Sequence, residues 1–292
     1  MPNQADSTVA QPRSGPVTQG TIFSCAVAED YPRCAAHGLI ITARCDTAND
    51  KIQTYNYIPI VSLNDWLHWD GRIILSSRLM SDTLGGLKGV LNECGYSVSI
   101  LETETPRSVL ATLFPPSKTA PKAAKQRARF NDLCARHELA ASGILSAPSD
   151  AVCLQIAKVA PKLKDGLLSE LAHQRLAGYY FLNRVEPDGE DCGYVALLRE
   201  IQAMPRLVAR AVAEGLDNGR FGEMCKAEPE LRGRLCIAQD DPAMPVGLLR
   251  SPNLEHLMQS FSLLFSRIGI DDPDPSYVAG LWARQRSVVE VS

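Results

Sequence analysis

Short apolar runs separated by polar breaks fill the chain up to about residue 104. Three of them, Thr21-Ile22-Phe23-Ser24-Cys25-Ala26-Val27, Gly38-Leu39-Ile40-Ile41-Thr42-Ala43 and Tyr55-Asn56-Tyr57-Ile58-Pro59-Ile60-Val61, have the length and composition of strands. The polar stretch Asp46-Thr47-Ala48-Asn49-Asp50-Lys51 joins the last two with turn chemistry. Pro59 predicts an edge strand or a bulge, because proline donates no ladder hydrogen bond. Ser62 or Asn64 is placed to cap a short helix through Trp66 and Leu67. Residues 72–79 and 96–103 read as extended, with a helix between them over about 80–94.

Beyond this block the period changes to that of helices. Phe130, Leu133, Cys134 and His137 predict a helix from near Pro121 to about Ala141. Residues 151–177 read as helical and are divided at Pro161, with Leu163, Leu167, Leu168, Leu171 and Leu176 forming the apolar face of the longer part. Tyr179 to Leu182 and Gly193 to Leu198 flank the turn-like Glu186-Pro187-Asp188-Gly189 and predict a hairpin. Residues 205–216 fit a helix or a third strand. Ser251 and Pro252 open a last helix, in which Leu254, Leu257, Met258, Phe261, Leu264, Phe265 and Ile268 form a stripe ended by Gly269. Burying those seven side chains, at ~1.5–3 kcal/mol each, predicts a core helix.

These elements predict an α+β protein. A disordered leader over 1–18 precedes a small β-barrel-like domain over 19–104. A basic linker and helix start over 105–131 leads into a mixed α+β domain over 132–292.

Composition narrows the class. The 292 residues are 45% hydrophobic and 22% charged, which excludes a disordered chain or a fibre. A formal charge of −3, from 30 basic and 33 acidic residues, excludes a molecule that is basic throughout. Met1 to Thr18 contain no apolar core of a secretory signal, and no apolar stretch approaches the ~20 residues that span a bilayer. A cytoplasmic protein with no membrane partner is expected. The nine cysteines are odd in number, scattered and free of any C-x-x-C pair, so reduced packing thiols are expected rather than a disulfide framework.

Charge is uneven along the chain. Thr105 to Asn131 carries no acidic residue, and five of its cations, Lys118, Lys122, Lys125, Arg127 and Arg129, fall within twelve positions. Such a run can follow a phosphate backbone, and it is equally the solvated face of a helix. Cys25, Cys34, His37 and Cys45 are all metal-ligand types, but their spacing matches no compact zinc motif. No metal or cofactor is expected. His68, His137, His173 and His256 are scattered over predicted helices and suggest no acid–base centre. Glu102 and Glu104 would share a face if 96–103 were a strand, with Asp65 and Asp70 as distant partners for a carboxylate metal site. The phosphate-loop, dinucleotide, nucleophile-elbow and zincin motifs are absent, and Gly85-Gly86-Leu87-Lys88-Gly89 reads as a flexible helix break.

Gly20-Thr21-Ile22-Phe23, Gly38-Leu39-Ile40-Ile41 and Pro59-Ile60-Val61-Ser62 follow one another as the first strands of the PemK/MazF-like toxins do. Residues 20–62 therefore resemble that family, whose members are SH3-like barrels that cut RNA. The resemblance implies a catalytic arginine just before the second strand, where this chain has His37, and a catalytic hydroxyl at Val61, beside Ser62. A nuclease here would use His37 or Ser62 on the 2′-hydroxyl proton and Arg44 on the phosphate. The whole chain also resembles uncharacterised bacterial proteins that share an apolar strand ending in Cys45-Asp46 and a Ser251-Pro252 helix leading to Arg267-Ile268-Gly269. The two departures favour a non-catalytic component that binds nucleic acid or a partner protein, in a bacterial toxin–antitoxin or phage-defence assembly. An RNA endonuclease and a protein–protein adaptor are the alternatives.

Overall fold

The computed structural model describes residues 8–48, 52–116, 121–145, 147 and 150–265. Its strands are β1 (Val9–Ala10), β2 (Thr21–Ala26), β3 (Ala36–Ile40), β4 (Thr54–Ser62), β5 (Tyr179–Leu182), β6 (Tyr194–Leu197), β7 (Gln202–Pro205) and β8 (Pro245–Leu249). They form one antiparallel sheet in the order β1-β8-β2-β3-β4-β6-β5, with β7 pairing the first half of β4. The sheet curls into a half-barrel. Val185, just past the edge strand β5, thereby meets Gly247 of β8, where a Cβ would overlap the Val185 carbonyl.

The helices are α1 (Arg44–Ala48), α2 (Leu63–Trp66), α3 (Arg72–Glu93), α4 (Ile100–Thr103), α5 (Pro106–Leu113), α6 (Pro121–Leu145), α7 (Asp150–Val159), α8 (Pro161–Ala172), α9 (Arg206–Ala213), α10 (Asn218–Ala227) and α11 (Asn253–Phe265). Among the described residues, none is long and apolar enough to cross a membrane. Helices α2 to α8 form one insertion between β4 and β5. Strands from 19–104 and from 132–292 thus share a sheet, and the linker expected over 105–131 lies inside the helical insertion.

Strand β4 organises the core. Ile58 and Ile60 join Ile22, Leu39, Ala196 and Tyr180 on one face, closed by Leu254 and Leu257 of α11. On the other face, Tyr55 and Tyr57 pack with Phe23 and Met204 under Val208 and Val212 of α9. Val61, further along that face, packs with Val195 and Leu197 under Trp66, Leu75, Ile156 and Leu167 of the insertion. The alternation of a strand thus serves two faces, and the second face is shared by two helical layers. Gly38 is required here: a Cβ would overlap the Phe23 ring, which packs edge-on against Tyr57 with centroids 5.1 Å apart.

Several expectations are corrected. Pro59 lies on a central strand rather than at an edge. Because Ile41 donates to the Asn56 carbonyl, alternation turns the Pro59 nitrogen away from β3, into the gap between β6, which pairs 60–62, and β7, which pairs 54–57. Residues 72–79 are the start of α3, not a strand; Leu75, Leu79, Leu87, Val90 and Leu91 are buried along one helix face. Residues 96–103 are a turn and the short helix α4, so Glu102 and Glu104 do not alternate on a strand. Gly85 to Gly89 do not break α3; Gly86 instead admits the Leu133 side chain of α6. Cys45 and Asp46 lie in α1, beyond the end of β3. Within the expected leader, Val9 and Ala10 form β1 against Leu249 and Leu248, because Val9 brings an apolar side chain to the core. Residues 206–213 are helical. Helix α11 starts at Asn253, only Leu254 and Leu257 of its stripe are fully buried, and Ile268 and Gly269 lie outside the described residues.

The expected hairpin forms as β5 and β6. Ser62 caps α2, accepting the Asp65 amide at 3.0 Å. A π-turn over 67–71 links α2 to α3 and sets Asp70 to accept the buried Tyr31 hydroxyl at 2.7 Å.

Candidate functional site

Helix α3 has 22 residues and spans about 33 Å. Its first half belongs to the core beneath the sheet. Its second half packs through Leu87, Val90 and Leu91 against Val109, Leu110, Phe130 and Cys134 of α5 and α6, in a cluster that contains no strand residue. The insertion therefore carries an arm with its own small core. Gly95 ends α3 in the left-handed conformation, with the Tyr96 amide donating to Leu91 and the Gly95 amide to Asn92, as in a Schellman cap.

The predicted basic run lies at the tip of this arm. Lys118 lies outside the described residues. The Arg127 guanidinium donates to the Phe114 carbonyl at the end of α5. Arg129 pairs with Glu93 at 2.9 Å and ties the start of α6 to the end of α3. Two cations of the run thus hold the arm together. Lys122 and Lys125 are exposed. Lys122 lines a groove of about 550 Å³ together with Cys94, Tyr96, Phe114, Pro115 and Gln126. Tyr96 is 39% exposed and sits edge-on to Phe114, which stacks on Phe130 at 4.7 Å. Partial burial, reinforced by Glu93 and opposed by Lys122, raises the Cys94 thiol. Sequence reading found the lysines but not the aromatic wall. Tyr96 stands 26 residues before Lys122, and only the α3–α6 pairing brings them together.

His37, Arg44 and Ser62 do not converge. His37 is opposite Ile60, so His37 and Ser62 share a sheet face, where the His37 ring meets Tyr194 edge-on at 5.7 Å. Burial lowers the His37 pKa below its usual 6.5, against an opposing effect of Asp241, leaving the ring neutral at pH 7. The Ser62 hydroxyl is engaged with Asp65, donating to Oδ2 at 2.6 Å. Arg44 lies past the other end of β3, since Ile40 pairs Tyr57, five positions (~17 Å) along β4 from Ser62. It stands near Glu255, whose carboxyl it helps to lower after the Ser251 hydrogen bond.

The ligand-type cysteines are also dispersed. The Cys25 thiol donates to the Asp241 carbonyl at 3.3 Å, Cys34 interacts with Asp65, and Cys45 is 3.5 Å from Asp46. Among the described residues, no three His, Cys, Asp or Glu side chains group as metal ligands. Three of the other histidines have local structural partners: His137 meets Thr83 at 3.0 Å, His173 the Ser169 carbonyl at 2.7 Å and His256 Tyr180 at 3.2 Å.

A second cavity, of about 210 Å³, lies where β4 and β7 meet the turn after α10, and no sequence motif announced it. The Tyr57 hydroxyl is at its floor, held loosely by the Val27 amide at 3.3 Å. Burial pushes Tyr57 up to about 12, opposed by the Val27 hydrogen bond and by Arg234, with Glu200 and Glu29 adding to the shift. Glu200, behind this floor, accepts the Glu29 amide at 2.6 Å and the Gln202 amide at 3.0 Å through Oε1, while its Oε2 is buried without a partner. Burial raises the Glu200 pKa, aided by Asp30 and Glu29 and opposed by those two hydrogen bonds. Arg232 and Arg234, on either side of the positive-φ Gly233, line the opposite wall.

No family model, curated protein or solved structure matches the chain.

Proposed function

We propose that this protein is a non-catalytic binding component that takes a single nucleic-acid strand at the tip of its helical arm. The supporting observation is the groove that the exposed Tyr96 ring, backed by buried Phe114, lines together with Lys122, with exposed Lys125 one turn further along α6. Aromatic faces stack on bases and unpaired lysines neutralise phosphates, which together bind a strand without reading its sequence. The Arg129–Glu93 pair engages the acid that lines the groove, and among the described residues Lys122 has no ion-pair partner. The nuclease reading needs His37, Arg44 and Ser62 on one surface.

The resemblance of residues 20–62 extends the proposal to a role in a toxin–antitoxin or phage-defence assembly. Its three stretches form β2, β3 and β4, neighbours in the sheet, and an SH3-like unit within the half-barrel belongs to the same proposal. A partner-protein reading draws on a different surface. Leu145, at the end of α6, and Leu154, on α7, are 86% and 60% exposed.

Ultraviolet crosslinking of the full chain to labelled single-stranded RNA and DNA, followed by peptide mapping, tests the proposal. Crosslinks at Tyr96 or in 121–126, weakened by Tyr96→Ala, are expected. Crosslinks confined to the α6–α7 end, or none at low salt, would overturn it.

A further inference from the structure

The cavity at the β4–β7 junction is chemically unlike the arm groove. Four charged side chains line it: Glu29, Glu230, Arg232 and Arg234. Among the described residues, neither arginine forms an ion pair with either glutamate; Arg234 reaches only the Ala203 carbonyl, at 3.5 Å. Opposite charges around one small space usually join directly. Here the turn after β2 carries Glu29, its amide held by Glu200 at 2.6 Å, while the 3₁₀ turn Pro229–Leu231 and the positive-φ Gly233 hold the other three. The lining also includes two neutral hydrogen-bonding residues, Tyr57 and Gln202, the second of which donates to Glu200 through Nε2. Tyr57 stays protonated at neutral pH and makes only long contacts with Val27, at 3.3 and 3.5 Å, so its hydroxyl has capacity left for a ligand.

From this arrangement we infer that the cavity binds a small zwitterion of free amino-acid type, with its carboxylate on Arg232 and Arg234 and its ammonium on Glu29 and Glu230. The size agrees: about 210 Å³ is below the ~300 Å³ at which cavities for drug-sized ligands begin. The lining agrees as well. An anion alone would face two unpaired carboxylates and a cation alone two unpaired guanidiniums, whereas a zwitterion answers both. Charge-assisted hydrogen bonds at each end, with Tyr57 and Gln202 also lining the cavity, would fix its orientation.

The test is calorimetric and thermal-shift titration of the full chain with a panel of free amino acids, with acetate, inorganic phosphate and methylamine as single-charge controls. At least one amino acid is expected to bind saturably and raise Tm, while the controls do not. Arg234→Gln and Glu230→Gln should each weaken that binding by roughly tenfold or more, the cost of one charged hydrogen bond. Both residues are exposed, so the unliganded Tm of each variant should match the wild type and report intact folding. Lys122→Ala should leave amino-acid binding unchanged, which separates this site from the arm groove. The inference is overturned if no amino acid binds, if a single-charge control binds as tightly, or if Arg234→Gln binds like the wild type.

Discussion

The half-barrel and the arm solve the problem of burial differently. Strand β4 is covered on both faces, and packing around the sheet is close enough that Gly38 of β3 and Gly247 of β8 have no room for a Cβ. The arm buries one helical face of α3 and α6 around Phe130 and leaves the other in water, where Gly85 has open space around it. The sheet is thus defined by contacts between residues far apart in sequence, and the arm by helix periodicity. A region with one face in water can carry a docking groove without disturbing its own core, and the arm carries the exposed lysines.

Large truncations should break the comparison most clearly. Trp66→Ala, in the core beneath the sheet, should cost about 3–5 kcal/mol and lower the main unfolding transition. Phe130→Ala, of similar local cost, should act on the arm first. Hydrogen exchange would then show deprotected amides in 87–93, 106–113 and 121–134 and intact protection in β2 to β4. Equal loss in both regions would show that arm and sheet unfold as one.

Glycine substitutions should divide the two regions with opposite signs. Gly38→Ala should destabilise by about 1–3 kcal/mol, since Phe23 or Tyr57 must move. Gly85→Ala, in the interior of α3 with open space around it, should stabilise by about 0.5–1 kcal/mol. Chemical denaturation of both variants measures the contrast.

A smaller effect concerns pH. His37 has a folded pKa below its ordinary 6.5, so between those values the unfolded chain binds more protons than the native one. Stability should therefore fall as pH drops through 6.5 and level off below the folded pKa. His37→Gln should flatten that limb of a melting profile taken from pH 7.5 to 5, and an unchanged slope would place the titration elsewhere.

What the sequence revealed follows the same division. Ser62 as a cap, Pro161 between two helices and the β5–β6 hairpin were legible because each is a local decision. The run Ile73-Ile74-Leu75 was misread because a short apolar stretch suits a strand or a buried helix equally. Tyr96-Ser97-Val98-Ser99-Ile100 alternates like a strand, yet Gly95 had already turned the chain out of α3. The union of β2 with β8 and of β4 with β6 and β7 lies beyond any local pattern, since the partners are more than a hundred residues apart. The Tyr57–Arg234 cavity was hidden for that reason, and so was the aromatic wall beside Lys122.

The central claim is that a single strand of nucleic acid binds the arm through Lys122 and Lys125. Its most direct test is the salt dependence of affinity for a fluorescent single-stranded oligonucleotide, wild type against Lys122→Ala/Lys125→Ala. Removing two phosphate contacts should reduce the slope of log K against log salt by about 1.4, at ~0.7 per contact on a single strand. An unchanged slope with unchanged affinity would contradict the account.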